Sequence, residues 1–131
     1  MTIEQALIYD LQHNAGIIAL IGQRSYLTVM PDEIVYPAIC IKKNAGDDGN
    51  IQRVSNCNIT FFIYGENLET IRPISCLIIN RYRMLSGDIG ETGKELRLIK
   101  SYIVSDEQES FLSEENLSLI QIDINFKFWR I

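Results

Sequence analysis

Cys57-Asn58-Ile59-Thr60-Phe61-Phe62-Ile63-Tyr64, followed after Gly65 by Ile71, Ile74, Ile78, Tyr82 and Leu85, is the stretch that decides the fold. Strand side chains alternate with period 2. Cys57, Ile59, Phe61 and Ile63 therefore share one face, and Asn58, Thr60, Phe62 and Tyr64 the other. Gly65 breaks the strand. The apolar residues from Ile71 to Leu85 then recur every three or four positions, which makes one stripe of an amphipathic helix. That stripe must be buried, and the apolar strand face is the nearest surface for it. The expectation is a sheet with a helix laid across it. Pro73 fits the first turn if Thr70 caps this helix, and kinks the helix if it starts at Leu68.

Outward from this unit the same two periods return. Leu117 to Ile131 places Ile120, Ile122, Ile124, Phe126 and Phe128 on one face and Gln121, Asp123, Asn125, Lys127 and Trp129 on the other. Burying those five apolar side chains is worth roughly 7–15 kcal/mol gross, at about 1.5–3 each, so this segment reads as a core strand. Ala38 to Lys42 and Leu96 to Val104 read as two further strands. Lys43 to Asn56 is polar, with Gly46, Asp47, Asp48 and Gly49 at its tip, and reads as an extended hairpin or a loop. Asp106 to Glu115 is acidic around Phe111 and Leu112. It reads as a solvated loop or as a charged contact surface with an apolar anchor. Near the start, Thr2 and Gln5 have capping-box spacing. Ile3, Ala6, Leu7 and Leu11 form a helical stripe, with a stop at Asn14-Ala15-Gly16 in which Asn14 or Gly16 turns left-handed. Ile17 to Ile21 reads as one more short turn closed by Gly22, and Pro31 and Pro37 mark extended backbone before Ala38.

A chain of 131 residues with 47% hydrophobic content suits a single domain, 1–131, with a real core. The net charge of −5 argues against a nucleic-acid-binding surface, which needs clustered Lys and Arg. No apolar run approaches the roughly 18–20 residues that span a bilayer. The first residues lack a basic segment followed by an apolar one, so a cytoplasmic protein is expected. Cys40, Cys57 and Cys76 are odd in number, widely spaced and set in apolar patterns, as buried reduced thiols are.

Gly87, Gly90 and Gly93 before Lys94 mimic a phosphate loop, but Asp88 and Glu95 stand where glycine and Ser or Thr are required. His13 sits at a helix end, where the dipole favours a cation, and no nucleophile elbow accompanies it. The adjacent acids Asp47/Asp48 and Glu114/Glu115 lie on polar segments and not in a cleft. No catalytic residue, cofactor or metal is expected.

The order of features resembles the tail completion (tail terminator) proteins of long-tailed bacteriophages and prophages. The segment Ala19-Leu20-Ile21-Gly22-Gln23-Arg24-Ser25-Tyr26, then Pro31, then Pro37-Ala38-Ile39-Cys40-Ile41 is similar to that family's opening. Tyr64-Gly65-Glu66 matches the family pattern after the central strand only roughly. The resemblance implies an α+β fold, an antiparallel sheet of about four strands with a long central helix and an N-terminal helix packed on it. It implies a structural virion protein that caps the tail tube as a hexameric ring and ends its polymerisation. It implies a surface for head–tail joining, with the major tail tube protein and the head connector as partners. The ring would form in the host cytoplasm and stay at the head-proximal end of the tail, with no stable nucleic-acid binding and no membrane. A neck or head-completion protein, or a small ligand-binding or regulatory domain, are the alternatives.

A closed ring joins one face of each subunit to a different face of the next, which calls for complementary patches. The acidic set Asp106, Glu107 and Glu109 with Phe111, and the basic set Lys42, Lys43 and Arg53 beside Asp47 and Asp48, are the candidates.

Overall fold

The computed structural model describes residues 2–46, 54–93 and 95–130. Helix α1 spans Ile3–His13. The Thr2 hydroxyl accepts the Gln5 N–H at 3.2 Å and the Gln5 side chain accepts the Thr2 N–H at 3.0 Å, which satisfies two orphan donors reciprocally. Asn14 ends α1 in an extended conformation (φ −89°) and its side chain caps α2, Ala15–Ile21. The stop therefore uses no left-handed residue at Asn14, and Gly16 lies inside α2. Gly22, at φ +60°, closes α2 by donating its N–H to Ile18.

The strands are β1 (Ser25–Leu27), β2 (Ala38–Gly46), β3 (Ser55–Gly65), β4 (Gly87–Ile89), β5 (Leu96–Leu112) and β6 (Leu117–Arg130), with α3 (Leu68–Tyr82) between β3 and β4. They form one sheet in the order β1-β2-β3-β6-β5-β4. β1 runs parallel to β2, and every other pairing is antiparallel. α1 touches both β1 and β4, the two ends of the strand order, so the sheet curls round its helices.

This architecture corrects the expected one. Among the described residues the sheet has six strands and is mixed, not four and antiparallel, and the helices number three. α3 is one of several elements inside a curled sheet, not a long central helix on a flat platform. The physical reasons are local. β1 and β4 have three residues each, too few for an alternation to register. β5 carries on to Leu112 through Glu107, Gln108, Glu109 and Ser110, which are exposed in succession and so give no burial signal. The acidic segment is strand as far as Leu112, where a loop was expected, and a turn from 113 to 116. Pro73 sits inside α3, because Asn67 and not Thr70 is the cap.

The core lies between the sheet and the helices. Ile120, Ile122, Ile124, Phe126 and Phe128 are completely buried, as are Ile59, Phe61 and Ile63 of β3 and Ile71, Ile74, Ile78 and Tyr82 of α3. α1 adds Ile3, Ala6, Leu7 and Leu11, and α2 adds Ile17 and Ile21. The end of α3 is stitched to β5 at one residue. The Ser101 hydroxyl donates to the Tyr82 carbonyl at 2.5 Å and accepts the Leu85 N–H at 3.0 Å, while the Ser101 carbonyl accepts the Met84 N–H at 3.0 Å. Cys40 and Cys57 are buried, but Cys76 is exposed, because its position on α3 falls outside the stripe of Ile71, Ile74 and Ile78.

Candidate interaction surface

The helices cover one face of the sheet, and the other carries polar side chains in registered rows. Lys42, Thr60, Asp123 and Ser105 share a rung across β2, β3, β6 and β5. Thr60 donates to Asp123 Oδ1 at 2.5 Å, and Ser105 donates to Asp123 Oδ2 at 3.1 Å. The Asn44 amide donates in turn to the Thr60 hydroxyl. One hydrogen-bonded chain thus crosses four strands. On the neighbouring rung the Asn125 amide donates to Asn58 Oδ1 at 2.7 Å. Asn125 Oδ1 itself is buried without a partner among the described residues, a state that costs about 1–3 kcal/mol when nothing satisfies it.

Further along, Phe62 and Tyr64 stack with ring centroids 6.4 Å apart. Burial pushes the Tyr64 phenol above its ordinary range, with smaller contributions from Cys40, Tyr36 and Glu115. Burial likewise raises the Cys40 thiol, and the Lys42 charge partly offsets this. The Thr60, Ser105, Asp123, Asn58 and Asn125 side chains have hydrogen-bond partners on adjacent strands. The arrangement is a polar and aromatic sheet face tied together by side-chain hydrogen bonds. Alternation in the sequence already placed Asn58 and Thr60 on one face of a strand and Asp123 and Asn125 on one face of another. What it could not supply was the β3–β6 pairing that joins them.

The predicted interface residues that the structure describes fall on two different strands. Lys42 is exposed and Lys43 half-buried on β2. Asp47, Asp48 and Arg53 lie outside the described residues. Asp106 belongs to β5, with its side chain outside the described set. Glu107 and Glu109 are on β5 and lean toward α3: Glu107 accepts from the Ser75 hydroxyl at 2.5 Å, and Glu109 takes both ends of the Arg72 guanidinium, at 2.7 and 3.2 Å. The hydrogen bond from Arg72, and then its charge, holds the Glu109 carboxyl below its usual range. Phe111 is 59% exposed near the β5–β6 turn. β2 and β5 are separated by β3 and β6, so the structure does not bring the basic and acidic sets together within one chain.

His13, in the last turn of α1, stacks on Tyr9 and places Nδ1 2.7 Å from the Tyr9 carbonyl. The glycine-rich stretch before residue 94 holds β4, a short edge strand paired to Leu96–Leu98. Among the described residues no group of three or more His, Cys, Asp or Glu could hold a metal ion. Among the same residues no helix is long and apolar enough to cross a membrane.

No protein-family model matches the sequence, and no curated protein matches it. The fold does have a counterpart among solved structures. A chain described as "Virion of native gene transfer agent (GTA) particle" superposes with a TM-score of 0.67 at 11% sequence identity, covering 97% of this chain and 94% of that one. At that identity the likeness establishes a shared fold.

Proposed function

We propose that the protein is a structural component of a phage-like virion that assembles as a ring on the head-proximal end of the tail tube. There it stops addition of the major tail protein and presents a surface to the head connector. The observation that carries this reading is the fold shared over almost the whole length of both chains with a chain of a gene transfer agent virion. The tail-terminator-like segment from Ala19 to Ile41 favours the tube end over other places in the particle. The positions of Lys42 on β2 and Glu107 on β5, with two strands between them in the sheet, suit a ring in which unlike faces meet. A net charge of −5 suits a ring whose lumen passes DNA without holding it. The ring forms in the host cytoplasm, and six copies is the number the resemblance implies. A neck position is the second reading, because the same fold likeness refers to a virion as a whole.

Particles assembled without the protein test the reading. Overlong tail tubes are the expected product, with normal length restored when the protein is supplied. Tubes of normal length joined to heads would contradict it.

A further inference from the structure

β4 pairs only with Leu96–Leu98, and the Met84 N–H takes the Ser101 carbonyl. Beyond Ser101 no strand lies on the outer side of β5 among the described residues. A groove of about 690 Å³ runs there, between β5 and the end of α3. Ile79, Arg83 and Met84 form one wall, and Tyr102, Val104 and Glu107 belong to the other. Met84 is 66% exposed and holds a left-handed backbone at φ +59°, a conformation that an unbranched non-glycine residue adopts only rarely. Arg83 makes no ion pair among the described residues. An exposed strand edge with apolar side chains is a template for another extended segment.

Such a segment exists at the other end of the strand order. Between β1 and β2, residues 28–37 form no helix or strand. Val29 and Val35 are 75% and 66% exposed, and Asp32 and Glu33 stand exposed between them. Two outward apolar side chains flank an acidic pair, and the groove sets Ile79, Met84 and Val104 beside the Arg83 cation, with Ser105 and Glu107 as further polar lining.

We infer that the β1–β2 connection of one copy docks in the α3–β5 groove of the next. Val29 and Val35 lie against Met84 and Val104, and Asp32 and Glu33 face Arg83. Groove and connection sit on opposite ends of the strand order, so the contact is heterologous and propagates from copy to copy. This contact rests on the ring reading above and gives it a specific interface.

The test is a charge swap read by sedimentation velocity, alone and with tail tubes present, with thermal melting as a check of folding. Wild-type protein is expected to form higher-order species. Arg83→Glu, and Asp32→Lys with Glu33→Lys, are each expected to weaken assembly at least tenfold with unchanged melting. The three changes together are expected to restore it. In a Cys76→Ser background, mixing Val35→Cys chains with Met84→Cys chains is expected to yield a disulfide-linked pair that neither forms alone. If wild-type and Arg83→Glu chains assemble equally and no cross-link forms, the groove contact is overturned while self-assembly stands. If wild-type protein remains monomeric both alone and on tubes, the contact and the ring fall together.

Discussion

The Tyr82 hydroxyl donates to Asp10 Oδ2 across 2.6 Å, and the Arg81 guanidinium grips the same carboxylate at 2.7 and 3.1 Å. Two consecutive residues of α3 thus meet one residue of α1 at the edge of the core. Tyr82 is fully buried, packed edge-on to Phe126 at 5.5 Å. Tyr82→Phe keeps that packing and deletes only a hydrogen bond to a charged group, so it is expected to cost about 1.5–3 kcal/mol. Asp10→Ala leaves the buried hydroxyl without its acceptor and costs at least as much. Denaturant melts of both single variants and the double should reveal coupling, because the two groups contact each other.

Alkaline titration gives the same residue a second signature. Burial, then the charge of Asp10, raises the Tyr82 phenol well above its ordinary value of 10.0. A folded pKa raised above the unfolded one gives stability that is complete below the unfolded value. It is lost as pH rises, since the unfolded chain releases the proton first. Stability is therefore expected to fall as pH climbs beyond about 10, and Tyr82→Phe should flatten that slope in pH-dependent melts.

Gly65 ends β3 where the chain must pass under α3. A Cβ built there would overlap Cγ2 of Ile71, so the position is fixed by space. Gly65→Ala is expected to cost about 1–3 kcal/mol, the usual range for overpacking. Ile71→Ala removes the obstructing methyl, so the double variant should be more stable than the sum of the two single losses predicts. Additive losses in chemical denaturation would contradict the close approach.

The sequence made the buried half of this fold readable. Cys57, Ile59, Phe61 and Ile63 announce a face by alternation, and Ile71, Ile74 and Ile78 announce a stripe, because apolar side chains must leave water together. The same logic is silent where burial does not select residues. Glu109 is held by pairing to Ile120 of β6 and by Arg72, and Glu107, within the register shift between Ser105 and Gln108, is held by Ser75, which no periodicity reveals. β1 is placed by parallel pairing of Ser25–Leu27 to Ile39–Ile41, a long-range choice that three residues cannot encode. The candidate surface was half legible. Its residues could be assigned to strand faces, but the Thr60–Asp123–Ser105 chain needs three strands in register. The Arg83 groove needs the edge that β4 leaves open.

Phe126 lies between Phe61, at 6.4 Å, and Tyr82, at 5.5 Å. Phe126→Ala is expected to destabilise by about 3–5 kcal/mol, the range for emptying a buried aromatic site. Calorimetry should show a melting transition lowered by many degrees, and an unchanged transition would mean that β6 is not part of the core.

Acid should loosen the β5–β6 arm. Arg72 lowers the folded pKa of Glu109 below its ordinary 4.5. The contribution of the pair is complete above that ordinary value and is lost as pH falls through the folded one. Hydrogen exchange of residues 107–112 is expected to quicken below about pH 4.5 relative to the core, and Glu109→Gln should bring the quickened rate to neutral pH.

Electron microscopy of growing tail tubes mixed with the purified protein reaches the central claim most directly. A ring seated on one end of each tube, with elongation halted there, is the predicted image. Bare ends on tubes that keep lengthening at saturating protein would contradict it.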